Sequence, residues 1–365
     1  MNPFFPEIKK NFGFGMMRLP MDGEKVDFAA VCKMVDMFME RGFHYFDTAR
    51  PYIQGQSEQA VKQCLSSRYP RDAYILTNKL SGNQFQTTEQ IVPLFESQLA
   101  ACGVEYFDFY LMHAMNAKRH ETYKTLHAYE IAQTLKAQGK IRHIGMSFHD
   151  SAQVLDRMLS ELPFIEVVQL QFNYADFEDP SVQSRKCYEV CRKHNKPIIV
   201  MEPVKGGSLV NLPEAAKALL SGGSPASYAI RYAASFEGMI MVLSGMSDMA
   251  QMEDNTSTMM DFQPLSTGEM ALIDQVRTLY QAQNRIPCTA CSYCTEGCPA
   301  GIPIPDVFSC MNDKLQKKED ADPAARYAAL PADASACVKC GQCESVCPQK
   351  LHIRDLLDQV GKAFG

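Results

Sequence analysis

Two segments near the C-terminus of this 365-residue chain carry the same cysteine pattern, C-x2-C-x2-C-x3-C-P. The eight cysteines are Cys288, Cys291, Cys294 and Cys298, followed by Cys337, Cys340, Cys343 and Cys347. Three thiolates so close in sequence can bind three corners of an iron–sulfur cube, and the turn after them places the fourth cysteine elsewhere. Tetrahedral zinc normally uses two C-x2-C pairs separated by a long loop, which this spacing serves poorly. The pattern therefore favours two [4Fe–4S] clusters, with zinc or unliganded thiols as the alternatives.

The same run occurs in bacterial ferredoxins that hold two clusters, where the fourth cysteine of each run binds the other cluster. One quartet would then be Cys288, Cys291, Cys294 and Cys347, and the other Cys337, Cys340, Cys343 and Cys298. Nine of the 14 cysteines lie after residue 284, and residues 1–10 contain no apolar secretory segment. Such clustering favours metal binding over a disulfide framework. Cys310 belongs to neither quartet and is expected to be structural.

A second group of polar residues follows the predicted strands of the first 250 residues. They lie at or just past the carboxyl ends of these strands, where barrel enzymes place their chemistry. They are Asp47, Tyr52, Lys79, His113, Ser147, Gln169 and Glu202. A single histidine or aspartate at such a place is more often a hydrogen-bonded core residue or a helix cap. Several such residues at successive strand ends indicate an active site.

Eight short apolar runs are the predicted strands that position these residues. They span residues 12–17, 43–46, 73–76, 107–112, 141–146, 165–170, 197–201 and 239–243. Each is similarly apolar on both alternating faces, as expected of parallel strands buried on both sides. Amphipathic patterns between them predict helices, among them residues 28–41, 89–102, 121–138 and 182–194. Eight strands alternating with helices predict a (β/α)8 TIM barrel, with a doubly wound open sheet as the alternative.

The expected fold class is therefore α/β: a TIM barrel followed by a small, α-helical domain of the dicluster ferredoxin type. Ser266 and Glu269 form a predicted capping box that opens a helix reaching about residue 283, after which the composition shifts to Cys, Pro and Gly. We expect one domain over residues 1–283 and a second over residues 284–365. The net charge of −6 argues against nucleic-acid binding, and no apolar run is long enough to span a membrane. A cytoplasmic location is expected.

Residues 12–258 resemble the aldo/keto reductase family. The motifs that carry the resemblance are Phe46-Asp47-Thr48-Ala49, Tyr52 with Gly55-Gln56-Ser57-Glu58, Thr77-Asn78-Lys79, Leu111-Met112-His113, Gly145-Met146-Ser147, Val168-Gln169-Leu170-Gln171-Phe172-Asn173 and Glu253-Asp254-Asn255. Matched residue by residue, Asp47, Tyr52, Lys79 and His113 correspond to the catalytic tetrad of that family. The whole chain is similar to the branch that carries a C-terminal ferredoxin-like domain with two [4Fe–4S] clusters.

The resemblance implies that a carbonyl compound is reduced by hydride from a nicotinamide cofactor. Tyr52 would be the general acid, and because an unperturbed phenol titrates near pH 10, it needs a nearby cation to donate efficiently. Lys79, oriented by Asp47, would supply that cation. His113 would donate a hydrogen bond to the carbonyl oxygen.

The same resemblance implies a set of cofactor contacts. Ser147 and Gln169 would bind the nicotinamide carboxamide, and Met201 occupies the position where relatives often stack a Tyr on the ring. The pyrophosphate would contact Lys205, Gly206, Gly207 and Ser208, and the adenosine end would contact Gln251 and Asn255. Asp248 stands where relatives commonly place Arg for a 2′-phosphate. Since an acid there would repel that phosphate, the cofactor is expected only as NAD(P)H.

The expected function is reduction of a small-molecule aldehyde or ketone, or oxidation of the alcohol, with clusters that exchange electrons with a ferredoxin or flavodoxin-type partner. One alternative is an iron–sulfur electron-transfer module whose barrel is a docking scaffold, and another is the same reductase with purely structural clusters. The segment after His113 contains Asn116, Lys118, Arg119 and His120. These side chains would either contact a polar or anionic substrate or form a solvated loop.

Overall fold

The computed structural model describes residues 3–317 and 322–365. Its strands are β1 (Phe12–Gly15), β2 (Met21–Asp22), β3 (Lys25–Val26), β4 (Tyr45–Asp47), β5 (Ile75–Leu80), β6 (Phe107–Met115), β7 (Ile141–Phe148), β8 (Val167–Gln171), β9 (Ile198–Met201) and β10 (Met239–Gly245). Its helices are α1 (Phe28–Glu40), α2 (Gln56–Ala60), α3 (Ile91–Cys102), α4 (Ala117–Thr125), α5 (Ala128–Ala137), α6 (Ala152–Glu161), α7 (Ser184–Lys193), α8 (Glu214–Lys217), α9 (Pro225–Ala234), α10 (Met249–Met260), α11 (Thr267–Gln281), α12 (Ile304–Leu315), α13 (Pro323–Ala328), α14 (Gln342–Val346) and α15 (Ile353–Phe364).

Eight of these strands close into a barrel in the order β1-β10-β9-β8-β7-β6-β5-β4. Every neighbouring pair in the barrel is parallel, and β2 and β3 form a separate antiparallel hairpin. Parallel neighbours that are also consecutive in sequence are joined by crossovers, which contain the helices. The predicted TIM barrel is therefore confirmed, and the open-sheet alternative is wrong.

One predicted helix differs from the structure, and one predicted cap agrees with it. Residues 121–138 form parts of two helices, α4 and α5, because His127 has φ of 54° and a left-handed residue cannot continue a right-handed helix. Thr88 donates a hydrogen bond of 3.1 Å to the carbonyl of Leu126 at this break. The capping box of Ser266 and Glu269 is present at the start of α11.

Strand alternation determines which side chains reach the mouth of the barrel. Successive side chains of a strand point to opposite faces, so every second residue of β4, β5 and β6 points inward. The inward-facing core includes Tyr45, Ile75, Phe109 and Leu111. Asp47, Lys79 and His113 continue the same alternation at the carboxyl ends of the three strands. At the opposite end the barrel interior is packed by Phe5 and Ile8.

Residues after α11 form a core of their own. It is built mainly from apolar side chains of α12 and α15, namely Ile304, Val307, Phe308, Leu357 and Val360. Cys310 is buried on α12, in agreement with its expected structural role. Within the described ranges, no helix is both long and apolar enough to cross a membrane.

Candidate active site

A buried ion pair joins the ends of β4 and β5. Lys79 Nζ lies 2.5 Å from Asp47 Oδ1 and donates a second hydrogen bond of 2.9 Å to the carbonyl of Thr48. Burial raises the pKa of Asp47 and lowers that of Lys79, and the attraction between the two charges opposes both shifts. Neither charge is left uncompensated, which is the condition under which a buried lysine and aspartate persist.

Tyr52 and His113 complete the group that was expected to be catalytic. The ammonium of Lys79 lies 4.8 Å from the centroid of the Tyr52 ring, and the rings of Tyr52 and His113 are 6.0 Å apart. Ser81 Oγ lies 2.6 Å from His113 Nδ1 and orients the imidazole. The structure thus brings all four predicted residues together at the carboxyl mouth of the barrel.

The surroundings of Tyr52 and His113 keep both side chains neutral. Burial, followed by the proximity of Tyr293 and Asp47, raises the pKa of Tyr52 well above its ordinary value. The expected lowering of this pKa by Lys79 does not prevail, because the ammonium lies over the ring face and the hydroxyl is buried. Burial, with the charges of Lys79 and Arg119, lowers the pKa of His113 well below its ordinary value. A neutral phenol and a neutral imidazole therefore face each other.

A cavity of about 600 Å³ opens from this group across the barrel mouth. Asp47, Tyr52 and His113 line it. Among the residues predicted for the cofactor, it is lined by Ser147, Gln169, Met201, Gly206, Gly207, Gln251 and Asn255. This volume is within the usual range for cofactor and small-molecule sites.

The residues predicted for the nicotinamide are held by neighbouring strands. Ser147 Oγ accepts a hydrogen bond of 2.7 Å from the backbone N–H of Ala114. Gln169 Nε2 donates a bond of 3.1 Å to Asp47 Oδ2, the carboxylate that also pairs with Lys79. The tetrad and the predicted carboxamide site therefore form one connected network.

Lys205 and Ser208 do not line this cavity. Lys205 is buried in an ion pair with Asp176, and its Nζ also donates a bond of 3.0 Å to Gln349 Oε1. Ser208 Oγ donates to the carbonyl of Lys205 and lies 3.0 Å from the hydroxyl of Tyr280. The sequence prediction that both side chains wrap a pyrophosphate therefore does not agree with this geometry, because a buried ammonium remains with its carboxylate.

The other end of the cavity has an unsatisfied polar atom that suits a nucleotide. Asn255 is buried, and its Nδ2 donates to Ser244 Oγ at 3.1 Å. Its Oδ1 has no hydrogen-bond partner among residues 3–317 and 322–365. A buried acceptor without a partner calls for a donor, and the amino group of an adenine would provide one. Gln251 is already engaged, since its Nε2 donates to Asp248, the N-cap of α10. The residues at this end therefore fit the adenosine part of a dinucleotide.

Four cysteines surround a small apolar cavity in the C-terminal region. They are Cys288, Cys291, Cys294 and Cys347, the first predicted quartet. Burial, followed by the neighbouring thiols, raises the pKa of Cys294. No three His, Cys, Asp or Glu side chains in residues 3–317 and 322–365 are placed to bind a single metal ion. Thiols that surround a space instead of converging on a point have the donor chemistry of a cluster site.

The second cysteine run repeats the backbone geometry of the first. Ala290 and Ser292, on either side of Cys291, have φ of 51° and 62°. Lys339 and Gly341, the matching residues of the second run, have φ of 57° and 77°. The Cys343 thiol interacts electrostatically with those of Cys337 and Cys340. The sequence repeat is therefore a repeat of local structure, and the assignment of Cys298 to this quartet stays a prediction.

The first cysteine loop is docked on the barrel mouth. Arg18 donates a bond of 2.6 Å to the carbonyl of Thr289. A Cβ on Gly206 would lie 2.5 Å from that same oxygen, so a glycine is required for the two segments to approach this closely. Cys291 and Tyr293 line the large cavity together with Asp47, Tyr52 and His113. We refer to residues 284–365 as the cluster region. This region thus forms part of the wall of the candidate active site.

Tyr293 is a residue of the candidate site that sequence reasoning missed. Its hydroxyl lies 3.5 Å from His113 Nε2, and its proximity contributes to the raised pKa of Tyr52. In the sequence it is only an aromatic residue between Cys291 and Cys294. No local pattern relates it to a barrel that precedes it in the chain.

The fold places this chain among the TIM-barrel proteins. The profile of the aldo/keto reductase family matches residues 11–278, and the profile of the 4Fe-4S dicluster domain matches residues 287–351. The chain belongs to the aldo/keto reductase family, is an oxidoreductase, and carries a C-terminal 4Fe-4S dicluster domain. The resemblance drawn from its motifs is confirmed.

Similar proteins include several reductases. The 9,11-endoperoxide prostaglandin H2 reductase of Trypanosoma cruzi is 28% identical over 274 residues, which are 71% of this chain and 88% of that protein. An NAD(P)H-dependent D-xylose reductase of Pyricularia oryzae is 31% identical over 110 residues, 30% of this chain and 34% of that one. Among solved structures, an aldo-keto reductase from Klebsiella pneumoniae in complex with NADPH has a TM-score of 0.59 and 20% identity over 73% of this chain and 90% of its own. One from Bacillus halodurans has a TM-score of 0.59 and 23% identity, covering 73% and 91%.

Proposed function

We propose that this protein reduces an aldehyde or ketone with NAD(P)H, or oxidises the corresponding alcohol. The observation that carries the proposal is the cavity of about 600 Å³, which joins Tyr52 and His113 to Gln169 and to the unpartnered amide oxygen of Asn255. The proposed reaction centre and both proposed ends of a dinucleotide site therefore share one space. The NADPH complex of the Klebsiella pneumoniae relative supports the choice of cofactor.

NAD(P)H supplies the hydride when it is bound. Tyr52 holds the proton that the substrate oxygen receives, since its raised pKa keeps the phenol protonated until negative charge develops on that oxygen. Lys79, which Asp47 orients, lies over the phenol ring and stabilises the phenolate left after the transfer. Ser81 Oγ lies 2.6 Å from His113 Nδ1. If the hydroxyl donates this bond, the imidazole carries its proton on Nε2, where it would bind the carbonyl oxygen.

We further propose that residues 284–365 hold two [4Fe–4S] clusters that transfer electrons. The first quartet adjoins the proposed reaction centre, because Cys291 lines the large cavity. The second quartet reaches the surface, where Cys340 is exposed and Val338 is 65% exposed. A cluster bound by exposed Cys340 would lie at the surface, where a ferredoxin or flavodoxin-type partner could approach it. This arrangement favours electron transfer over the alternative of purely structural clusters.

The carbonyl reaction is tested with Tyr52→Phe in anaerobically purified protein. NAD(P)H-linked carbonyl reduction should be abolished while the iron–sulfur absorption stays unchanged, because the phenol donates the proton and touches no cluster ligand. Retained turnover would overturn the assignment of Tyr52 as the acid.

The clusters are tested by metal analysis and by stopped-flow absorbance under anaerobic conditions. Two cubes correspond to about eight iron atoms per chain, and stoichiometric zinc would contradict them. Oxidised protein is then mixed with NADH, NADPH or reduced ferredoxin while the cluster absorbance is followed. Bleaching is the expected result, and its absence with all three reductants would favour structural clusters.

A further inference from the structure

A second cavity, of about 280 Å³, lies between the barrel and the cluster region. The barrel contributes His113 and Arg119 to its wall, and the cluster region contributes Lys350. Tyr293 lines both this cavity and the larger one, so the two spaces adjoin at the proposed reaction centre. His113 also lines both cavities, so a molecule in the smaller cavity would contact it.

Arg119 is fixed in this cavity by an irregularity of β6. The pairing of β6 with β7 shifts register between Met112 and Met115, and Ala114 has φ of 51°. The carbonyls of His113 and Ala114 there accept bonds of 3.2 and 3.0 Å from Nη1 of Arg119. Within the described part of the chain, Nη1 is the one nitrogen of this guanidinium that donates a hydrogen bond. Three of its five N–H groups therefore remain for a ligand.

Lys350 brings a second cation from the cluster region. Its Nζ donates a bond of 3.0 Å to the carbonyl of His149, another residue of the cavity wall. Glu296 is a carboxylate of the same wall, and its Oε2 accepts a bond of 3.4 Å from Asn83. Cys294 and Cys347, whose thiolates a cluster would share, also line this wall, so the N–H groups of Arg119 and Lys350, and not the net charge, define the anion site.

The effect of these charges is visible at His149. Burial, followed by the charges of Arg119 and Lys350, lowers the pKa of His149 to about 3. His149 is therefore neutral near pH 7 and adds no charge of its own. Both cations therefore act on His149, which lines this cavity.

We propose that this cavity binds the anionic group, a carboxylate or phosphate, of the carbonyl substrate. Arg119 and Lys350 hold that group while the carbonyl reaches His113 and Tyr52. This proposal rests on the proposed function and adds its substrate class. The cavity lies at the small end of the size range of ligand sites, so the substrate is a compact molecule. One cation comes from each part of the chain, so the site is complete only when the cluster region is docked.

The structure also separates Arg119 from its neighbours in sequence. Lys118 is exposed and lies outside the cavity wall. His120 is buried between Tyr129 and Glu161, at 2.8 Å from each. Of the three basic residues in a row, the geometry assigns only Arg119 to the ligand. Lys118 therefore provides a matched control for loss of positive charge.

The first experiment compares matched carbonyl substrates in anaerobic steady-state kinetics. The pairs are 4-oxobutanoate with its methyl ester, and glyceraldehyde 3-phosphate with glyceraldehyde. We expect kcat/KM to be at least tenfold higher for an anionic member than for its neutral partner. Arg119→Gln and Lys350→Gln should each remove most of that preference, and Lys118→Gln should retain it. The pair with the larger preference distinguishes carboxylate from phosphate. Equal kcat/KM within both pairs, or an equal loss for charged and neutral substrates in Arg119→Gln, would overturn the proposal.

A binding measurement separates this proposal from the proposed reaction. Calorimetry on Tyr52→Phe holoprotein, which should not turn over, would compare succinate and inorganic phosphate with neutral 1,4-butanediol. Either anion should bind to Tyr52→Phe at least tenfold more tightly than to the double variant that also carries Arg119→Gln. This result would support the anion site even if no carbonyl is reduced. Failure of both anions to bind would overturn it even if carbonyl reduction is observed.

Discussion

Removing the hydroxyl of Tyr293 should improve the apparent affinity for the carbonyl substrate. In the structure this hydroxyl lies 3.5 Å from His113 Nε2 and close enough to Tyr52 to raise its pKa, so it occupies the position that a carbonyl oxygen bound by both groups would take. A substrate must therefore displace this hydroxyl. A neutral hydrogen bond contributes about 0.5–1.5 kcal/mol net, which is the most that this displacement costs.

The corresponding prediction for Tyr293→Phe is a KM that falls by about two- to twelvefold, with kcat unchanged. The assay is anaerobic steady-state reduction of the best carbonyl substrate at saturating NAD(P)H. Tyr188→Phe is the control, because it removes a hydroxyl bonded to the carbonyl of Glu237 far from the site. A fall in kcat, or a higher KM, would refute the reasoning and would make the hydroxyl a participant in the reaction.

Three further predictions concern the interface between the barrel and the cluster region, including His149, which lies at that interface. Gly206→Ala should lower the bound iron per chain, because its Cβ would lie 2.5 Å from a backbone oxygen of the first cysteine loop; Gly207→Ala, also at positive φ but with open space, should retain the iron. Gln349→Leu should destabilise the folded protein by about 1.5–3 kcal/mol, seen as a lower Tm, because buried Lys205 loses an acceptor. His149 stays neutral in the fold down to about pH 3, whereas the unfolded state binds its proton below about pH 6.5, so stability falls as the pH drops below 6.5. Denaturant titrations at pH 7 and pH 5 should show His149→Gln avoiding up to about 2 kcal/mol of that loss. Unchanged iron in Gly206→Ala, an unchanged Tm in Gln349→Leu, or the same loss of stability at pH 5 in His149→Gln would contradict these predictions.

The eight strands were predictable because burial on both faces leaves continuous apolar runs in a sequence. The ends of the strands were less predictable. The strand predicted over residues 73–76 is β5 (Ile75–Leu80) in the structure, so Lys79 lies inside the strand and not after it. The predicted helix over residues 121–138 was wrong for a related reason. Its amphipathic pattern runs across Leu126 and His127, and the left-handed conformation of His127 depends on contacts from elsewhere in the fold.

The chemistry of the candidate site was predictable from the sequence, but only some of the residues that form it were. Asp47, Lys79 and His113 stand at strand ends, and strand alternation in a closed barrel directs such side chains to one mouth. Lys205 was predicted to bind a pyrophosphate, but its charge is paired with Asp176. That pairing joins residues 29 positions apart, so no local pattern could show it.

The sequence by itself determined the barrel, the polar residues at its mouth and the two cysteine runs, because periodicity and ligand spacing are local properties of a chain. Only the tertiary structure decided where the cluster region lies. Its docking brings Tyr293 to Tyr52, Gln349 to Lys205 and Lys350 to the cavity beside His113. These contacts depend on the complementary shape and charge of two surfaces built by distant segments. The cysteines could therefore be assigned from their spacing, whereas their position beside the proposed reaction centre could not.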